Sequence, residues 1–228
     1  MMRLNVPRAL SLYLAWMGLT CGTLLAGIGG MLPFGLGAMG PDAAFLGLIE
    51  AELFFVTVVW PFFMPRLLLP EATAAVRTAG PGGEPHLLIL QVGVMLVVAL
   101  PLALVSRNLS QIGAGEFFRA QLLVGSIACF VTVLLDRPAG SRIRNWYFLG
   151  FFAASALFPF LGFLAGERGQ GMGFLAAVSP FWAAAQFKAD AALSWAPGAQ
   201  AAIFGVLALA LLAAGPFRRP VDSTAPPS

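Results

Sequence analysis

The chain has 228 residues, of which 59% are hydrophobic and 10% are charged, and its mean hydropathy is +0.87. Soluble domains carry roughly 25% charged residues, so this composition excludes an ordinary soluble globule and indicates a membrane protein. The net charge of +3 comes mostly from arginines in loops. These arginines form no basic run, which excludes nucleic acid as the expected partner.

Six apolar stretches are long enough to cross a lipid bilayer, which takes about 20 residues. In chain order they cover residues 9–32, 44–66, 87–106, 117–135, 145–166 and 198–216. A further apolar piece, residues 172–188, is short and broken at Pro180, so it favours a re-entrant or interfacial segment over a seventh span. The sequence therefore predicts an all-α membrane bundle with six transmembrane helices, forming one domain over residues 1–219.

Arginine and lysine are distributed unequally between the two sides of such a bundle. One side carries four, and the other carries nine, which are Arg3, Arg8, Arg66, Arg77, Arg137, Arg142, Arg144, Arg218 and Arg219. The positive-inside rule places the nine in the cytoplasm. We therefore expect a multi-pass protein of the inner (plasma) membrane with both termini cytoplasmic, and a polar, proline-rich tail at 220–228 that is disordered.

Small residues recur every four positions along the first predicted span, at Gly18, Gly22, Ala26 and Gly30. Small residues at this spacing let helices approach closely. Two interpretations remain open, which are packing within this chain and a face for a homodimer.

Two glutamates, Glu50 and Glu52, lie near the start of the second predicted span. A long apolar run follows them, so we place both at or just below the outer interface, where water solvates them. We expect their exchange for glutamine to leave function largely intact, whereas the alternative is a proton or cation site. Gln91 is predicted to hydrogen-bond across helices.

Aromatic residues mark the start of the fifth predicted span, where Trp146 and Tyr147 are predicted to be interface anchors.

The sequence lacks the motifs of catalysis and of cofactor binding. It contains no H-E-x-x-H, no paired intramembrane aspartate, no nucleophile elbow and no Walker A motif. His86 is the single histidine, and the two cysteines, Cys21 and Cys129, are expected to pack as small apolar residues. We therefore predict no catalytic, cofactor-binding or metal-binding residues, and no enzymatic activity.

The longest cytoplasmic loop, residues 67–86, contains a predicted short helix. Pro70 and Glu71 suit a helix start, and the glycines and prolines of residues 80–85 end it. A short helix between two spans is suited to docking a partner, and the alternative is a plain connecting turn. The candidate docking residues are Pro70, Glu71, Ala74, Ala75 and Arg77.

This layout resembles the transmembrane subunit of an ABC-2 type transporter permease. Residues 70–77 resemble the coupling helix of that family, and Ser179-Pro180-Phe181-Trp182 resembles the Ser/Asn-Pro segment before its last span. Phe217-Arg218-Arg219 is similar to its basic end, whereas the family's Glu-Arg-Glu run is absent. The resemblance implies a permease that moves an unknown substrate with energy from a separate ATPase subunit, beside a second copy or a related permease.

A different class also fits the sequence, namely a non-catalytic structural or accessory subunit of a larger membrane complex. A proton-coupled carrier and a membrane-embedded enzyme are further alternatives. The proteins that stay bound after mild detergent extraction discriminate between a permease and an accessory subunit.

Overall fold

The computed structural model describes residues 6–31, 43–67, 84–136, 140–167, 177–185 and 195–214. This part of the chain is helical and contains no strand, which confirms the all-α prediction. Its helices are α1 (Val6–Met31), α2 (Ala43–Phe54), α3 (Trp60–Leu67), α4 (Glu84–Ser110), α5 (Ala114–Leu135), α6 (Gly140–Phe152), α7 (Phe158–Glu167), α8 (Pro180–Ala185) and α9 (Ala196–Ala213). Two π-helical segments, π1 (Phe55–Val59) and π2 (Ala153–Leu157), join α2 to α3 and α6 to α7.

Six helical stretches among these residues are long and apolar enough to cross a membrane. They agree closely with the six predicted stretches, and we call them the first to the sixth span. They are Ala9–Gly27, Ala43–Met64, Leu88–Ser110, Ala114–Leu135, Ile143–Leu164 and Ala196–Ala213. The predicted docking helix at 70–77 and the tail at 220–228 lie outside the described residues.

The second span is the centre of the bundle. Its first half, α2, packs against α1, α4, α5 and α8. Two fully buried tryptophans, Trp16 and Trp60, are the largest side chains of the core. Each has a hydrogen-bond acceptor for its indole N–H, since Trp16 donates to the carbonyl of Met95 at 2.9 Å and Trp60 to Thr132 Oγ1 at 3.0 Å. A buried tryptophan needs such an acceptor, so these two bonds help to set how the spans are packed.

The outer spans carry large apolar side chains on the surface of the bundle. The fifth span is the least buried of the six. Exposed side chains on the third, fifth and sixth spans include Leu90, Val97, Phe152, Phe163, Ile203 and Leu209. Contiguous apolar surface of this extent is rare on soluble monomers, whereas lipid tails cover it without cost. The surface is therefore compatible with a multi-pass membrane protein.

The first and second spans approach each other closely at Gly27. A Cβ atom built there would stand 2.6 Å from Ala44 Cα, so only glycine fits. The predicted small-residue stripe behaves differently, because Gly18, Gly22 and Ala26 are all exposed. Among the described residues, no atom lies within 4 Å of a Cβ built on Gly18 or Gly22. The interpretation of these two glycines as packing positions within the chain is therefore wrong.

Candidate functional site

The second span is interrupted by π1 just before Pro61. An α-helix would pair the carbonyl of Thr57 with the N–H of residue 61, but proline has no N–H. The hydroxyl of Tyr147, on the fifth span, donates a hydrogen bond to this carbonyl at 2.8 Å. The fifth span therefore supplies the donor that Pro61 removes, and this bond joins two spans at an interruption.

This position of Tyr147 corrects one sequence prediction. Trp146 is 68% exposed. The hydroxyl of Tyr147 instead binds the backbone of the second span, and its ring packs on Phe148 and Phe151. The two neighbours differ because consecutive residues of a helix point about 100° apart.

The fifth span repeats the arrangement of the second. Its segment π2 precedes Pro159, which removes the N–H that an α-helix would offer to the carbonyl of Ser155. Ser179 Oγ lies 3.5 Å from this carbonyl in a long hydrogen bond. The same oxygen accepts the backbone N–H of Trp182 at 3.3 Å and so caps α8. Ser179 therefore links α8 to the open carbonyl of the fifth span.

The sixth span holds the same short segment from another side. Gln200 Nε2 donates to the carbonyl of Ser179 at 3.3 Å and to the carbonyl of Ala177. Ala183 and Ala184 are fully buried, and α8 also packs against α2. Residues 177–185 are thus bound to the second, fifth and sixth spans.

Glu52 is fully buried near the middle of the second span. At a rise of about 1.5 Å per residue it stands roughly 14 Å from Ala43 along the helix axis. Gln121 Nε2, on the fourth span, donates a hydrogen bond to Glu52 Oε2 at 3.0 Å. Glu52 Oε1 has no hydrogen-bond partner within the described part of the chain.

The predicted location of Glu52 at a hydrated interface is therefore wrong. The helix already begins at Ala43, so Glu52 lies far inside the span, and the neighbouring helices cover it. Glu50 is exposed on the surface of α2. Two residues of a helix separated by one position point about 200° apart, which places these two glutamates on opposite faces.

The structure describes Gln91 and the two cysteines but not the candidate docking residues. Gln91 Nε2 donates to Tyr13 Oη at 3.1 Å, which confirms that Gln91 bonds across helices. Cys21 and Cys129 are free and partly buried. The candidate docking residues Pro70, Glu71, Ala74, Ala75 and Arg77 lie outside the described residues.

Sequence reasoning missed the two hydroxyl-to-carbonyl bonds and the bond between Glu52 and Gln121. A signal for the first two is present in the sequence. Thr57 and Ser155 each stand four residues before a proline inside an apolar run, at Pro61 and Pro159. That spacing marks a carbonyl that needs an outside donor, although it does not name the donor.

The bundle thus contains two spans with π-helical turns, whose carbonyls at Thr57 and Ser155 are bonded by neighbouring elements, and a buried carboxyl group close to the first of these turns. No protein-family model, curated protein or solved structure matches the chain.

Proposed function

We propose that this chain is a membrane-spanning permease subunit of an ABC-2-like transporter, which moves its substrate with energy from a separate ATPase subunit. One observation carries the proposal. The second and fifth spans each contain a π-helical turn before a proline, and side chains of neighbouring elements bond the carbonyls of Thr57 and Ser155, four residues before each proline.

Interruptions of this kind support transport over a purely structural role. The turn π1 is buried in protein, which is where a bilayer tolerates irregular backbone. Single π-helical turns inside α-helices often mark functional sites. A subunit that only anchors a complex is served by regular helices, so paired interruptions at side-chain-bonded carbonyls favour a permease.

The proposal includes a re-entrant segment between the fifth and sixth spans, formed by residues 177–185. Two hydrogen bonds support it. Ser179 binds the carbonyl of Ser155, which lies near the middle of the fifth span, and Gln200 of the sixth span binds the carbonyl of Ser179. In this proposal the segment enters the membrane from the outer side and returns to it before the sixth span.

In the proposed topology the protein lies in the inner membrane, and both of its termini are in the cytoplasm. In a variant that lacks Cys21 and Cys129, we expect a membrane-impermeant thiol reagent to label cysteines introduced at Gly113 or Gly169 in intact cells. Cysteines introduced at Gly82 or Gly140 should react only after the membrane is permeabilised. The nine-to-four asymmetry of Arg and Lys is the reason, and labelling at Gly82 in intact cells would overturn this topology.

The proposed ATPase contact is the segment 70–77. We expect Ala74→Asp or Ala75→Asp to abolish most co-purification of the ATPase, because the new charge would be desolvated at an apolar contact. The matched control is Ser223→Asp, which adds the same charge on the same side of the membrane. The measurement is affinity purification after mild detergent extraction, followed by mass spectrometry of the retained proteins.

The three variants should reach the membrane in equal amounts, because all three residues lie outside the six apolar stretches of the sequence. If the wild-type chain retains no ATPase but retains a stoichiometric set of other membrane subunits, the permease proposal is wrong. The chain would then be an accessory subunit.

A further inference from the structure

Glu52 and Gln121 form a polar pair in the middle of the bundle that the permease proposal does not use. Glu52 is fully buried, and its single hydrogen bond among the described residues is the 3.0 Å bond from Gln121 Nε2 to Oε2. A buried carboxyl group with one bonded and one unpartnered oxygen is costly to keep if its role is only structural. An ionisable residue in this position is typical of proton and ion pathways.

The ligand atoms available around Glu52 favour a proton over a metal cation as the bound species. Calcium takes about six to eight oxygen ligands, and magnesium takes about six in near-ideal geometry. The described residues contain no group of three or more His, Cys, Asp or Glu side chains that could hold a metal ion, and the one hydrogen-bond partner of Glu52 among them is the amide of Gln121. A proton needs a single oxygen, and Glu52 Oε1 provides it.

Charged and ionisable groups on the surrounding helices do not compete for this carboxyl group. The elements packed against α2 are α1, α4, α5, α8 and π1. Their ionisable residues with described side chains are Tyr13, Cys21, Arg107, Glu116, Arg119 and Cys129. In the described structure none of them is bonded to Glu52, and on α2 itself Glu50 is exposed.

Two of these groups have other partners that hold them elsewhere. Tyr13 Oη accepts from Gln91, and Arg107 Nε donates to the carbonyl of Ile112 at 3.1 Å while its guanidinium lies over the ring of Phe117. Gln121 is therefore the described side chain that sets the immediate environment of Glu52.

We propose that Glu52 is a proton-exchange site within the membrane, with Gln121 as its positioning residue. When a proton delivered from the bulk solvent binds Oε1, the carboxylate becomes a neutral acid, and the reverse step returns that proton to the bulk solvent. Each exchange changes the charge between the second and fourth spans by one unit. Glu52 lies one helical turn before π1, so this change acts beside the interruption that Tyr147 closes.

The site deepens the proposed permease function by adding control through protons, but the test requires neither ATPase nor substrate. The purified chain in lipid vesicles is followed by infrared difference spectroscopy while the buffer is changed from about pH 5 to about pH 9, a range that covers documented buried glutamates. We expect a carbonyl band of a protonated carboxylic acid that disappears reversibly as the pH rises. The band should be missing in Glu52→Gln and present in the matched control Glu50→Gln.

A second variant separates proton exchange from a structural role. Gln121→Met removes the donor but keeps the approximate volume of the side chain. Because a hydrogen bond to the ionised oxygen favours the ionised form, its loss should move the midpoint of the Glu52 band to higher pH. A merely structural Gln121 would change stability and leave this midpoint in place.

Each outcome decides the proposal. A band assigned to Glu52 that titrates within the range supports a proton-exchange site. A band that persists unchanged across the range, or no band from Glu52 at any pH, overturns it. Either failure leaves the permease proposal standing, since that proposal depends on ATPase retention.

Discussion

Replacing Tyr147 with phenylalanine is expected to lower the free energy of unfolding by about 1–3 kcal/mol, the usual cost of a buried polar group without a partner. The variant keeps the aromatic ring and its contacts with Phe148 and Phe151. It removes the hydroxyl that donates to the carbonyl of Thr57, which Pro61 has already deprived of an intrahelical donor. The measurement is thermal and denaturant unfolding of the detergent-solubilised protein, followed by circular dichroism.

A double-mutant cycle tests the reason for this loss. Pro61→Ala restores a backbone N–H four residues after Thr57, so Tyr147→Phe should cost much less in that background. Pro159→Ala is the matched control, since it restores an N–H to the fifth span and leaves the environment of Thr57 unchanged. An equal cost of Tyr147→Phe in both proline variants would show that the hydroxyl does not substitute for the missing N–H.

The second large effect is expected at the contact between the first and second spans. Gly27→Ala should destabilise the protein by about 1–3 kcal/mol, as overpacking of a tight interior does. The new Cβ would stand 2.6 Å from a backbone atom, Ala44 Cα, and 2.8 Å from Ala44 Cβ. Neither neighbour can rotate away, so one of the two helices has to move.

Gly22→Ala is the matched control on the same helix. The described structure has no atom within 4 Å of its new Cβ, and alanine is a better helix former than glycine by up to about 1 kcal/mol. We expect the control to be neutral or slightly stabilised when both variants are compared by thermal unfolding in the same detergent. Equal stability of Gly27→Ala and Gly22→Ala would contradict the close approach of the two spans.

The six spans were predictable from the sequence because each depends on local properties. The thickness of a bilayer sets the length of an apolar helix, and hydropathy along the chain shows where each helix runs. The predicted second stretch, 44–66, therefore agrees with the observed span Ala43–Met64 to within two residues at either end.

The depth of Glu52 was not predictable from the apolar run that follows it. The helix starts at Ala43, well before the glutamate, and four other helical elements close around its first half. Which face of a helix is buried depends on those neighbours. The sequence shows only that Glu50 and Glu52 lie on opposite faces of the helix, and it does not show which of the two faces is buried. Gly27 is similar, since the regular stripe at Gly18 and Gly22 is exposed and the close contact occurs one residue outside that spacing.

The sequence by itself determined that this protein is an all-α bundle with six helices able to span a membrane. The length and the hydropathy of each helix are local properties of the sequence, so they can be read without knowing the packing. The tertiary structure alone decided which polar groups meet inside. Glu52 binds Gln121, Tyr147 completes the backbone at Thr57, and Ser179 reaches Ser155. These partners lie on different helices, and only packing brings them together. A buried polar group must find its partner among the side chains that packing places beside it, because lipid offers none.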